Sequence, residues 1–194
     1  MTSRKFLKLL VSALLFVLSG TALAAQTRLL TGVVTHVTDG DTLWFKTSAN
    51  GEPRKVRLSG IDAPESCQAW GAESTAALTS RVKFKTVQLQ TRAKDDYGRL
   101  LATVLLDGAD IGQWMVTNGH AWSYHRTRGR NSRSGQASQS VYLGPYGVEE
   151  TKAKVAGRGL WAQSAGPAVE PRIFRKTRGA CPKASRPRAS GAAR

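Results

Sequence analysis

The sequence predicts a mainly β domain of the α+β class, a five-stranded barrel that carries three helices. Three observations support this prediction. Residues 27–107 have mostly the composition and alternation of β-strands, a helical segment interrupts them, and two more helical segments follow them. Strands that come first and are then followed by helices are typical of α+β domains.

Five segments in the first part of the chain have the features of strands. They are rich in β-branched and apolar residues or alternate apolar with polar ones, and turn-forming residues separate several of them. Asn50-Gly51 is a strong hairpin signal, and Asp107-Gly108 closes the last strand. The predicted strands are 30–37, 42–47, 54–58, 85–91 and 99–106.

Three helices are predicted at 72–82, 111–118 and 148–156, the last two ended by glycines. The first of them lies between the third and fourth strands. Five short strands with a helix in that place are the outline of an oligonucleotide/oligosaccharide-binding (OB) barrel. The pattern leaves another α+β layout open.

The two ends of the chain differ from its centre. Residues 1–25 have a basic start, a short apolar run and Ala22-Leu23-Ala24, which is the layout of a secretory signal peptide. We therefore expect an exported protein, periplasmic or secreted, with no membrane segment after cleavage. Its folded domain would span 26–171, with a flexible Arg-, Ser- and Gly-rich loop at 126–140. A basic, disordered tail is expected over 172–194.

The chain is strongly basic. It has 29 Lys and Arg against 13 Asp and Glu, and a formal net charge of +16. Such a surface attracts polyanions, because phosphate contacts release condensed counterions. Charge alone does not distinguish nucleic acid from lipopolysaccharide, anionic lipid or acidic glycans.

Acidic residues are scarce, and four of them fall in two short segments. Asp39 and Asp41 follow the first strand, and Asp62 and Glu65 follow the third. Taken alone, the first segment is better read as an ordinary tight turn and the second as a loop entering a helix. Together they indicate a cation site or an acid/base site, and hard oxygen ligands in irregular loops suit Ca²⁺.

These acids belong to a series of three short motifs along the chain, which strengthens the prediction that they form one site. They are DGDT at 39–42, RLSGIDAPE at 57–65 and DDYGR at 95–99. Their order and spacing resemble the staphylococcal nuclease (thermonuclease) family, and the resemblance covers about 30–162, including GRGLW at 157–161. It implies an OB barrel and a calcium-dependent nuclease.

The resemblance also implies a set of calcium ligands. Asp41, Asp62 and the backbone carbonyl of Ala63 would hold the ion, and Asp39 would reach it at most through water. Because the third ligand is a backbone oxygen, an alanine at position 63 would not weaken calcium binding.

Further residues would act on the substrate. Arg57 and Arg99 would present planar forks of donors to phosphate oxygens. Glu65 matches the candidate general base, although a carboxylate near a cation is a weak base and would then mainly position the water. Tyr97 borders the expected phosphate pocket, with a partly buried role as the alternative. Tyr124 is a candidate for base stacking.

The cysteine pair and one tryptophan give two further expectations. Export and an even cysteine count predict a Cys67–Cys181 disulfide, which would hold the basic tail beside the active site. Trp122 is expected to belong to the core.

The sequence thus predicts a monomeric hydrolase that cuts DNA, with RNA as a second candidate substrate. The alternative is a non-catalytic OB-fold nucleic-acid-binding protein. A polyanion binder at cell surfaces would leave the three motifs unexplained. A pure binder would have no use for clustered carboxylates, which repel phosphate.

Overall fold

The computed structural model describes residues 28–124, 144–179 and 181, and within them five strands close into a barrel. Antiparallel pairs give the order β3-β2-β1-β5-β6, and a parallel pair of β3 with β6 closes the ring. The predicted fold class is confirmed. In chain order the strands are β1 Arg28–Asp39, β2 Thr42–Lys46, β3 Arg54–Leu58, β4 Ile61–Asp62, β5 Thr86–Lys94, β6 Leu100–Leu106, β7 Ala109–Asp110 and β8 Trp122–Ser123.

The described residues form four α-helices, one more than predicted. They are α1 Gly71–Val82, α2 Ile111–Thr117, α3 Gly147–Val155 and α4 Pro171–Arg178. The first three match the predicted helices. The fourth corrects the expectation of disorder for residues 172–178, and residues 180 and 182–194 of the predicted tail lie outside the described residues. Charge and composition indicated a tail, but Pro171 is buried at the first helical position, where its fixed φ favours a helix start.

The core lies inside the barrel and under α1. Strand alternation places one side-chain face inward, as in β2, where Leu43 and Phe45 are fully buried. Helix α1 buries Leu78 and Val82 against the barrel. Such burial contributes roughly 25 cal/mol per Å² of apolar surface removed from water.

Two glycines allow the close packing that positions the acidic segments. A Cβ at Gly40 would lie 1.9 Å from Ser74 Oγ and 2.7 Å from the Cβ of Ala63. Gly60 has φ +81°, and a Cβ there would lie 2.6 Å from Pro145 Cγ. The β1–β2 turn can therefore approach the segment after β4 closely, and Gly60 takes the left-handed conformation at low cost.

Among the residues that the structure describes, no helix is both long and apolar enough to cross a membrane. The predicted signal peptide and the 126–140 loop lie outside the described residues.

Candidate active site

The turn after β1 and the short strand β4 bring two aspartates together. Asp41 accepts hydrogen bonds from the Ala63 amide at 3.0 Å and from the Thr42 hydroxyl at 2.8 Å. The Leu58 amide donates to the Asp41 carbonyl oxygen at 2.8 Å, which ties the turn to the end of β3. Asp41 and Asp62 are each only 4% exposed, so both carboxylates require compensation for lost hydration.

Arg57 provides most of that compensation. It lies opposite Thr42 in the β2–β3 pairing, so its side chain reaches the space between the two aspartates. Its guanidinium group is 2.5 Å from Asp41 Oδ1 and 2.8 Å from Asp62 Oδ1. The predicted phosphate-binding arginine is thus also the bridge between the two predicted cation ligands.

Burial and the neighbouring charges shift the pKa values of three carboxyl groups in this site. Burial, and then the charge of Asp41, raise the pKa of Asp39 to about 7. Burial would also raise the pKa of Asp41, but the Arg57 charge and the Ala63 amide lower it below its ordinary value. For Asp62 burial prevails over the Arg57 charge, and its pKa is raised. Burial thus disfavours the charged forms of Asp39 and Asp62, whereas Arg57 favours the ionised form of Asp41.

Glu65 lies at the mouth of this cluster, with its side chain 28% exposed. Its Oε1 accepts a hydrogen bond from Arg175 Nη1 at 2.6 Å, and Arg175 Nη2 donates to Asp62 Oδ2 at 3.1 Å. Reasoning from the sequence missed Arg175, which lies 110 positions beyond Glu65. The predicted disulfide, which was expected to hold the tail near this site, was the signal that could have found it.

Arg99 and Tyr97 occupy a turn on the other side of the cleft. Asp95 organises the turn, because its Oδ1 accepts from the amides of Tyr97 at 3.0 Å and Arg99 at 2.9 Å. Its Oδ2 accepts from Arg99 Nε at 2.6 Å. The Arg99 guanidinium lies 5.5 Å from the centre of the Tyr97 ring, which is 86% exposed. Tyr97 and Arg99 both line the cleft.

The predicted site residues meet at one open cleft with a volume of about 710 Å³. Asp62 does not line this cleft itself, but its carboxylate contacts Arg57 and Arg175, which do. The pairing of β4 with β8 and a hydrogen bond from the Tyr124 amide to the Gly60 carbonyl bring Tyr124 to the same place. The predicted residues that line the cleft itself are Asp41, Arg57, Ala63, Glu65, Tyr97, Arg99 and Tyr124. Their roles stay predictions.

The donor chemistry of the cluster fits a hard divalent cation. Asp41, Asp62 and the carbonyl of Ala63 supply oxygen ligands of the kind that Ca²⁺ accepts. As arranged, no group of three or more acidic, histidine or cysteine side chains in the described residues could hold a metal ion. Asp41 and Asp62 instead direct carboxylate oxygens to the guanidinium groups of Arg57 and Arg175.

Two expectations outside the cleft are confirmed. Cys67 and Cys181 form a disulfide with their Cα atoms 5.6 Å apart. Trp122 is 5% exposed and packs edge-on against Trp161, so it belongs to the core.

The sequence matches known proteins over the region that builds this cleft. Residues 55–163 match the family model described as staphylococcal nuclease homologue. A protein of Haemophilus influenzae named an uncharacterized endonuclease is 35% identical over 169 residues, which are 87% of this chain and 85% of that protein.

Two further relatives match shorter parts of the chain. An uncharacterized endonuclease of Escherichia coli O157:H7 is 38% identical over 124 residues, 63% of this chain and 75% of its own length. A probable staphylococcal-like nuclease of Oryza sativa subsp. japonica is 32% identical over 108 residues, 56% of this chain and 25% of its own. On the family match and the extent of the Haemophilus relative, the chain belongs to the staphylococcal nuclease family.

Proposed function

We propose that this protein is a calcium-dependent nuclease that hydrolyses phosphodiester bonds of DNA, with RNA as a second substrate. Membership of the staphylococcal nuclease family makes it a phosphodiester hydrolase. The observation that carries the finer proposal is the meeting of Arg57, Arg99 and Glu65 with the buried Asp41 in one open cleft. A binding module has no need for that combination of acids and arginines.

The two arginines suit the substrate and its transition state. A phosphodiester under attack gains negative charge on its non-bridging oxygens, and guanidinium groups stabilise that charge through paired hydrogen bonds. Arg99 is held through Nε by Asp95, so its orientation is fixed before the substrate arrives. Arg57 faces the same cleft from the barrel wall and remains within reach of the acids.

The acids divide between two tasks. Asp41 and Asp62, with the carbonyl of Ala63, would hold the calcium ion, which when bound would neutralise phosphate charge and orient a water. Glu65 is the more exposed acid and lies at the cleft mouth, where it can accept a proton from the attacking water or fix its direction. Tyr97 and Tyr124, both exposed at the cleft, would contact the phosphate and the neighbouring base.

The same reasoning supports proposals on location and state. The leader-like segment at 1–25 and the Cys67–Cys181 disulfide are consistent with export to an oxidising compartment. We propose a monomer that acts outside the cytoplasm, in the periplasm or the medium.

The test is incubation of the purified protein with supercoiled plasmid DNA and with RNA, in Ca²⁺ or in excess chelator. We expect nicked and then linear DNA in Ca²⁺ and no cleavage in chelator. Glu65→Gln should lose activity, whereas Glu73→Gln, an exposed acid on α1, should retain it. Undiminished cleavage in chelator would refute the metal assignment. Binding without cleavage under any divalent cation would favour the non-catalytic alternative.

A further inference from the structure

Helix α4 is fastened at both ends to the segment that carries Glu65. Before the helix, the Gln68 side-chain amide donates to the Val169 carbonyl, and the Gln68 Oε1 accepts from the Glu65 amide at 3.1 Å. After the helix, Cys181 is bonded to Cys67. The helix therefore crosses the cleft mouth as a tethered strap rather than as a free tail.

This strap places one cation on the proposed metal site. Arg175 is the helix residue that contacts the acids, with one nitrogen on Glu65 and the other on Asp62. Asp62 Oδ1 is already paired with Arg57, so Arg175 takes its second oxygen. Both carboxylate oxygens of Asp62, a proposed ligand of the cation, are thus paired with arginines.

We propose that Arg175 is a resident cation that competes with the divalent cation for Asp62 while it also pairs with Glu65, and that the Cys67–Cys181 disulfide keeps it in place. The inference rests on the proposed calcium dependence. On this proposal, helix α4 and its disulfide set the Ca²⁺ affinity of the site.

The strength of the contact suits a competitor that can be displaced. The Arg175 side chain is 40% exposed and that of Glu65 28%, so water weakens the attraction between them. A tether offsets this weakness, because linked groups meet at effective concentrations of order millimolar. Without the disulfide, the effective concentration of Arg175 at the acids would fall. The site would then bind Ca²⁺ more tightly.

The experiment measures Ca²⁺ affinity without nucleic acid, from the thermal unfolding of the full disulfide-bonded chain over a series of Ca²⁺ concentrations. Arg175→Gln should bind Ca²⁺ about 3- to 10-fold more tightly than the wild type, the scale expected for losing two partly exposed ion pairs. Lys176→Gln removes the same charge from an exposed position on the same helix and is the matched control. It should change the affinity less than twofold.

Equal affinities for Arg175→Gln and Lys176→Gln would overturn the inference while leaving the proposed function intact. Weaker binding by Arg175→Gln would overturn it as well, since Arg175 would then assist the ion. No Ca²⁺-dependent stabilisation in any of these proteins would refute the calcium assignment and the inference with it.

The tether is tested in a Cys67→Ser/Cys181→Ser background. This variant should bind Ca²⁺ more tightly than the wild type, and adding Arg175→Gln to it should have a smaller effect than in the bridged protein. An undiminished effect of Arg175→Gln would show that the disulfide does not hold the contact. The unfolding curves themselves verify that each variant is folded.

Discussion

Replacement of Arg57 by glutamine should destabilise the fold strongly in metal-free buffer. Arg57 is 17% exposed and pairs with Asp41 and Asp62, whose side chains are each 6% exposed. Removing one partner from a buried ion pair costs about 3–5 kcal/mol, because the other charge is left uncompensated. Since Arg57 is partly exposed, we expect a loss of stability at the lower end of this range, about 3 kcal/mol. For a domain of this size that corresponds to a drop in Tm of roughly 6–12 °C.

The loss of stability caused by Arg57→Gln should depend on pH and on Ca²⁺. The pKa of Asp41 is lowered in the folded wild type, so its ion pair stabilises the fold above the ordinary aspartate pKa of 3.8. That contribution is lost as pH falls through the lowered folded value. The difference between wild type and Arg57→Gln should therefore be large at pH 7 and shrink toward pH 3. Added Ca²⁺ should also narrow it, because the ion replaces the lost positive charge.

The assay is calorimetric unfolding at pH 7 and at pH 3, with Arg99→Gln as the control. Arg99 pairs with Asp95, and these side chains are 23% and 16% exposed in a surface turn. Its loss should cost no more than about 1 kcal/mol. If Arg57→Gln were as stable as Arg99→Gln in metal-free buffer at pH 7, the account of Arg57 as the bridge between buried acids would be wrong.

Three further predictions concern turnover, pH dependence and the disulfide. Glu65→Gln and Arg99→Ala should each lower turnover at least ~10²-fold with little change in Tm, and near-normal turnover by either would show that its role is misassigned. Because burial raises the pKa of Asp39 from 3.8 to about 7, the wild type should lose stability in metal-free buffer as pH rises from 3.8 toward 7, whereas Asp39→Asn should not. A stability difference between these two proteins that stays constant from pH 5 to pH 8 would refute this. Reduction of Cys67–Cys181 should lower the free energy of unfolding by at most about 4–5 kcal/mol, and two free thiols in protein made under oxidising conditions would contradict the bridge.

Most of the fold was predictable because its signals are local. The alternation in β2 and β3, the Asn50-Gly51 turn and the glycines after the helices each specify an element within a few residues. The short β4–β8 pairing was not predicted. Two-residue strands have no period to detect, yet this pairing brings Tyr124 beside Gly60 at the cleft.

The site was predictable only where its residues lie in motifs. The three acidic and basic motifs come together as the resemblance implied, because they sit at strand ends and turns of one barrel. The position of Arg175 could not be read from its neighbours, which suggested a solvated basic tail. Its place depends on contacts across more than 100 residues, through Gln68 and the disulfide. Long-range contacts of this kind have no signature in local composition.

The central claim is that the buried acids at the strand ends hold the cation on which cleavage depends. The most direct test is the Ca²⁺ dependence of plasmid cleavage by the wild type, Asp41→Asn and Asp96→Asn, with folding verified by thermal unfolding. Asp96 is an exposed acid of the same cleft and serves as the control. We predict that Asp41→Asn needs at least about tenfold more Ca²⁺ for half-maximal cleavage, since changes even behind a metal ligand cost 10–100-fold. Asp96→Asn should follow the wild type. An unchanged Ca²⁺ dependence in folded Asp41→Asn would contradict the claim.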